Sequence, residues 1–133
     1  MRAFAFAAAL FAATTGASAA DVNITCIEST GQRFIGVNMF PVSLNGPWNF
    51  TITEQGLETP WGGHCGLMKG EVSAARVSVS CSGDVAGSPN QFKKTVEIDR
   101  HLGTYRESFE LNDPAAPQSR SFISGTCQRR ETF

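Results

Sequence analysis

The chain has 133 residues, 41% of them hydrophobic, with 11 basic against 12 acidic side chains and four cysteines. Its charges alternate along the chain and form no basic stripe, so it is not built to coat a phosphate backbone, and nucleic acid is excluded as an expected partner. The length suits one domain with one core.

Residues 1–20 read as a secretory signal peptide. Arg2 precedes an apolar run from Ala3 to Ala13, and the small residues Ala17, Ser18, Ala19 and Ala20 follow. That is the three-part layout of an export signal. The alternative, a membrane anchor, needs about 20 apolar residues, roughly twice this run. Cleavage after Ala19 or Ala20 fits the small-residue rule, and Ala20 is preferred. Cys26 follows Thr25, which does not form a lipid-anchor signal, and no later run approaches membrane-spanning length. The expectation is a secreted or periplasmic product with a single β domain over 21–133. Removing Arg2 leaves 10 basic residues against 12 acidic, a net charge near −2.

From Val22 onward the pattern has a period of two, the signature of half-buried strands. Val22, Ile24 and Cys26 share one face of the first strand. Residues 33–40, Arg-Phe-Ile-Gly-Val-Asn-Met-Phe, form a candidate strand with no assignable inward face. Trp48, Phe50 and Ile52 align next, then Ala75, Val77, Val79 and Cys81, and finally Ile123 and Cys127. Turn residues fall at 29–32, 44–47, 82–84 and 86–90. No segment after the signal sustains a helical period. The predicted fold class is all-β, a small antiparallel barrel or sandwich of about seven to eight strands.

Cys26, Cys65, Cys81 and Cys127 form an even set in an exported chain, which reads as two disulfides with three pairings open. The preferred pairing is Cys65 with Cys81 and Cys26 with Cys127. The first closes a short loop and the second ties the two ends of the domain together. No Cys-x-x-Cys pair is present to suggest zinc.

Residues 92–111 hold the densest charge cluster. Val96 and Ile98 are even-numbered apolar positions, whereas Tyr105, Phe109 and Leu111 are odd. Even must therefore lie opposite odd for these groups to share a face. A four-residue loop, Arg100 to Gly103, satisfies this, with Gly103 at the positive-φ position. The register sets Ile98 opposite Tyr105, Phe92 opposite Leu111, Glu97 opposite Arg106 and Lys93 opposite Glu110. It also brings Lys94 diagonally near Glu107. Strand pairing thus accounts for the charges without a reactive centre.

This hairpin, Ile-Asp-Arg-His-Leu-Gly-Thr-Tyr, and the later Ser-Gly-Thr-Cys-Gln-Arg-Arg-Glu-Thr-Phe resemble the closing segment of small exported bacterial proteins of unknown function. Members show an Ile-x-Arg-x-x-Gly turn and then a Gly-x-Cys strand ending in an aromatic residue. The resemblance covers about the last third of the chain. It implies an all-β exported domain with a cysteine in the last strand, and no activity.

Pro-Trp-Gly-Gly-His-Cys-Gly at 60–66 is the segment most suggestive of a ligand loop, and Trp61 and His64 are the ligand-binding candidates. The competing reading is a loop pinned by a disulfide with Trp61 covering the core. His64 beside Cys65 does not make a nucleophile–base pair, because neighbours on an extended chain face apart and a disulfide sulfur offers no thiolate. The two histidines, His64 and His101, belong to no metal motif. No pair among the 12 acids is singled out for glycoside chemistry. No catalytic residue, metal or cofactor is therefore predicted. Residues 112–120 carry two prolines and read as a stiff, protruding loop of a kind inhibitors present. Asn-Ile-Thr at 23–25 and Asn-Phe-Thr at 49–51 match glycosylation sequons, discounted because the resemblance points to bacteria. The functional expectation is a non-enzymatic binding module for a protein or cell-envelope component. A secreted hydrolase, or an inhibitor of one, is the alternative.

Overall fold

A computed structural model describes residues 21–130. The proposed signal peptide, 1–20, lies outside the described residues. Nine strands follow one another: β1 Val22–Ile35, β2 Asn38–Pro41, β3 Trp48–Thr53, β4 Gly56–Glu58, β5 Leu67–Val72, β6 Arg76–Asp84, β7 Gln91–Asp99, β8 Thr104–Asn112 and β9 Ser119–Arg129. A single 3-10 turn, Gly63–Cys65, interrupts them. Every pairing is antiparallel, and β9 returns to pair with β1. Eight strands thus close a barrel, and β2 stands outside it as an extra strand on the far half of β1. Closure removes the exposed edges that a small open sheet would leave. Among the described residues no helix is long and apolar enough to cross a membrane.

The interior follows the predicted alternation. Ile24, Cys26, Phe50, Ile52, Val77, Val79, Cys81, Val96, Ile98, Tyr105 and Ile123 are buried, joined by Leu57 and Met68 from the short strands. Burial of these groups is the main favourable term for a domain of this size. Ala75 is exposed and lies before β6.

Both disulfides form in the preferred pairing. Cys26 and Cys127 are direct partners across β1 and β9, so this bridge staples the seam where the first strand meets the last. Cys65–Cys81 ties the 3-10 turn to β6.

Three sequence expectations are corrected. Residues 29–32 are not a turn. They continue β1 through a bulge, where pairing steps from Glu28–Gly125 to Thr30–Ser124 and leaves Ser29 over. Ser29 Oγ donates to the Ser124 carbonyl at 3.1 Å, which replaces the interrupted ladder. Residues 82–84 are the end of β6, not a turn. Residues 33–40 are not one strand: Gly36 and Val37 turn the chain so that β1 and β2 form a two-residue hairpin, Ile35 opposite Asn38. No inward face was assignable there because the hairpin rises past the barrel rim and has none.

The bulge also explains the Gly-x-Cys pattern. A Cβ on Gly125 would sit 2.0 Å from the Ile27 carbonyl oxygen on β1, so only glycine lets the strands approach there.

Candidate functional site

The β7–β8 hairpin adopts the predicted register throughout, including Ile98–Tyr105, Glu97–Arg106, Lys93–Glu110 and Phe92–Leu111. Gly103 closes the loop at φ 69°. The register splits the charges of 95–111 between two environments. Glu97 and Arg106 meet on the outer wall at 3.5 Å, with the arginine 73% exposed, where an ion pair contributes little. Asp99 caps the turn, accepting the backbone N–H groups of Leu102 and His101, and these bonds hold its carboxyl below the usual range. Arg100 donates to the Ser73 carbonyl at 2.7 Å. His101 is exposed.

The inner face carries the one buried charge cluster among the described residues. Lys94 and Glu107 lie 3.6 Å apart, with side chains 17% and 8% exposed. Tyr105, fully buried, donates its hydroxyl to Glu107 Oε1 at 2.5 Å. Burial pushes the Tyr105 phenol far above its ordinary value of 10, and the Glu107 charge adds to the shift. Burial also lowers the Lys94 pKa, opposed by the attraction of Glu107. The lysine Nζ sits 3.3 Å from the centroid of the Trp61 ring, a cation over an aromatic face.

Glu28, also buried, fixes the other side of this end of the barrel. Its two oxygens accept the Asn45 backbone N–H at 2.6 Å and Trp48 Nε1–H at 2.7 Å. These bonds pull residues 45–48 across the barrel end, where β1 runs on beyond β3. Trp61 then packs edge-on against Trp48 and Phe50, at centroid distances of 5.5 and 5.2 Å. Each carboxylate oxygen in the cluster faces a donor or a cation. Such an arrangement fixes a unique core.

The two sequence candidates therefore separate. Trp61 is half-buried and covers the core as part of the loop that Cys65–Cys81 pins. His64 is exposed, lies over the backbone at Gly83 and tilts toward Phe92 at 6.3 Å, apart from the Trp61 stack. They do not converge on one cavity. Among the described residues no three His, Cys, Asp or Glu side chains gather to hold a metal. The opposite barrel end opens in a hollow of about 230 Å³ lined by Val22, Ile24, Ile52, Ile98, Arg100 and Arg129.

The feature that sequence reasoning missed is the ribbon formed by the end of β1 and β2. Of the eight large hydrophobic residues exposed on the described surface, Ile35, Val37, Met39 and Phe40 lie on it and Phe122 lies beside it. The available signal was the run from Phe34 to Thr53, which contains no charged residue.

Comparison of the chain with protein families, with curated proteins and with solved structures finds no match.

Proposed function

We propose that this chain is an exported, non-enzymatic binding module whose working surface is the projecting ribbon, residues 33–41, together with Phe122. The observation that carries the reading is the concentration of exposed apolar side chains on one projection, with Val37 at its tip 97% exposed. Contiguous exposed apolar surface on a soluble domain marks an interaction site more often than scattered residues do. The saturated interior cluster supports a binding role over a catalytic one. The two disulfides suit an oxidising compartment. The resemblance of the closing third to small exported bacterial proteins is compatible with a partner in the cell envelope.

The test is retention of the chain from Asp21 onward by sedimented envelope fractions of a bacterium. The barrel closes within residues 21–130, so this segment is the folded unit. Wild type is expected to sediment with the fractions and Val37→Asp/Met39→Asp to stay in solution with an unchanged melting temperature. Equal retention of both proteins, or of neither, would overturn the assignment of the ribbon.

A further inference from the structure

The ribbon's side chains are arranged in levels, each one strand residue apart. Val37 leads. Behind it come Ile35 with Asn38, then Phe34 with Met39, then Arg33 with Phe40. On β9, Arg120 is level with Phe34 and Phe122 is level with Gln32. Phe34 and Phe122 meet edge to face at 6.0 Å, and the Arg120 guanidinium lies 5.5 Å from the Phe122 centroid. From the tip inward the order is thus aliphatic, then aromatic and cationic. At a strand rise of about 3.4 Å per residue, the arginines stand roughly 7–10 Å behind the leading valine.

Three features discriminate among occupants. The exposed apolar residues lie on both faces of the ribbon, Met39 on one and Ile35 and Phe40 on the other, so a flat protein surface would cover only one set. The free edge of β2 is blunted by Pro41, which has no N–H to offer an added strand. The order of side chains follows the profile of a lipid leaflet: acyl boundary, interfacial aromatics, then phosphates. The neighbouring loop is compatible with that setting. Gly36 donates to the Gln118 carbonyl at 3.3 Å, and residues 114–117 are Pro-Ala-Ala-Pro. Two acids lie close by: Glu110 is the cross-strand partner of Arg120 in the collar, and Asp113, two residues beyond the Leu111–Ser119–Ile35 level, stands with the loop at the level of the Val37 tip.

We infer that the ribbon docks the barrel onto a leaflet of anionic phospholipid, with Val37, Ile35 and Met39 entering the acyl boundary and Arg33 and Arg120 on headgroup phosphates. This inference rests on the ribbon being the binding surface and names what it binds. An apolar wedge combined with a cationic collar supplies the two kinds of signal, apolar and electrostatic, that membrane attachment combines.

The experiment is flotation of the chain from Asp21 onward with vesicles of phosphatidylcholine containing phosphatidylglycerol, and with vesicles of phosphatidylcholine alone. Wild type should float with the anionic vesicles, be released by salt, and float poorly with the neutral ones. Arg33→Ser and Arg120→Ser should each weaken binding about fivefold. Val37→Asp/Met39→Asp should lose at least tenfold, on the roughly 20–33 cal/mol per Å² of apolar burial. Equal flotation of that double variant and wild type would overturn the inference. So would self-association through the ribbon, seen as a dimer on gel filtration without flotation. Retention by whole envelopes without flotation on vesicles would sink the lipid and leave the binding surface standing. Failure on both would sink both.

Discussion

Replacing Glu107 by Gln tests whether the interior charges are structural supports or a reaction centre. The substitution keeps an acceptor for the Tyr105 hydroxyl and removes only the charge, 3.6 Å from Lys94. With an effective dielectric near 20, the Coulomb attraction across that gap is about 4–5 kcal/mol. Desolvation of both groups offsets much of this in the intact pair, but breaking one partner of a buried pair costs about 3–5 kcal/mol, because the other charge stays buried alone. Glu107→Gln and Lys94→Met should therefore each destabilise by about 3 kcal/mol in urea unfolding. The double variant buries neither charge and should cost far less than the sum, a coupling of at least ~2 kcal/mol. The pH dependence has a definite sign. The folded Lys94 pKa lies below the unfolded 10.5, so between the two the unfolded chain binds the extra proton and stability rises with pH. Losing Glu107 removes an attraction that raises this pKa, so the window below 10.5 widens downward and the penalty of Glu107→Gln should shrink as pH rises toward 10.5. Additive single effects, or a neutral or stabilising Glu107→Gln, would refute the structural reading. The latter is the behaviour of charges retained for activity at a cost in stability.

Two further outcomes follow from the seam and the lid. The chain-entropy model assigns about 3 kcal/mol to Cys65–Cys81, with its separation of 16, and about 4.7 kcal/mol to Cys26–Cys127, with its separation of 101. Paired serine substitutions should reproduce that order in denaturant unfolding, and only the Cys65/Cys81 pair should red-shift tryptophan fluorescence, by loosening the Trp61 cover. Gly125→Ala should cost about 2–3 kcal/mol, because its Cβ meets strand backbone that cannot rotate away, whereas Ser124→Ala beside it should change stability by less than about 0.5 kcal/mol. Thermal melts of the two variants check this.

The parts of the fold legible in sequence were those set by strand periodicity. Parity excluded an odd-numbered loop, and Gly103 at the loop's end pointed to the four-residue one, in which Lys94 and Glu107 then meet. That the four cysteines form two disulfides was legible from their even number, whereas which pairs with which stayed a preference among three pairings until the β1–β9 seam put Cys26 opposite Cys127. The turn signals at 29–32 and 82–84 misled because glycine and serine also serve bulges and strand ends. Glu28 was invisible as a core residue because its burial depends on Asn45 and Trp48, which only the crossing of 42–48 brings near. Trp61 packs against the core, and nothing local in the sequence showed that Lys94 lies over its ring. The ribbon went unread because most of its side chains on both faces are exposed, so burial imposes no alternation on them.

The interior around Tyr105 and Glu107 is buried and its polar groups are paired, and the chain's single tyrosine reports on it without a mutation. The folded pKa of Tyr105 is raised above the ordinary 10, so its contribution to stability is complete below pH 10 and is lost as pH rises above it, where the unfolded chain ionises and the folded one does not. In an alkaline titration, tyrosinate absorbance should stay absent past pH 10 and then appear in one step, together with the loss of circular dichroism. A smooth tyrosinate titration centred near 10, with the barrel still folded, would show that water reaches Tyr105 and Glu107 and would contradict the account.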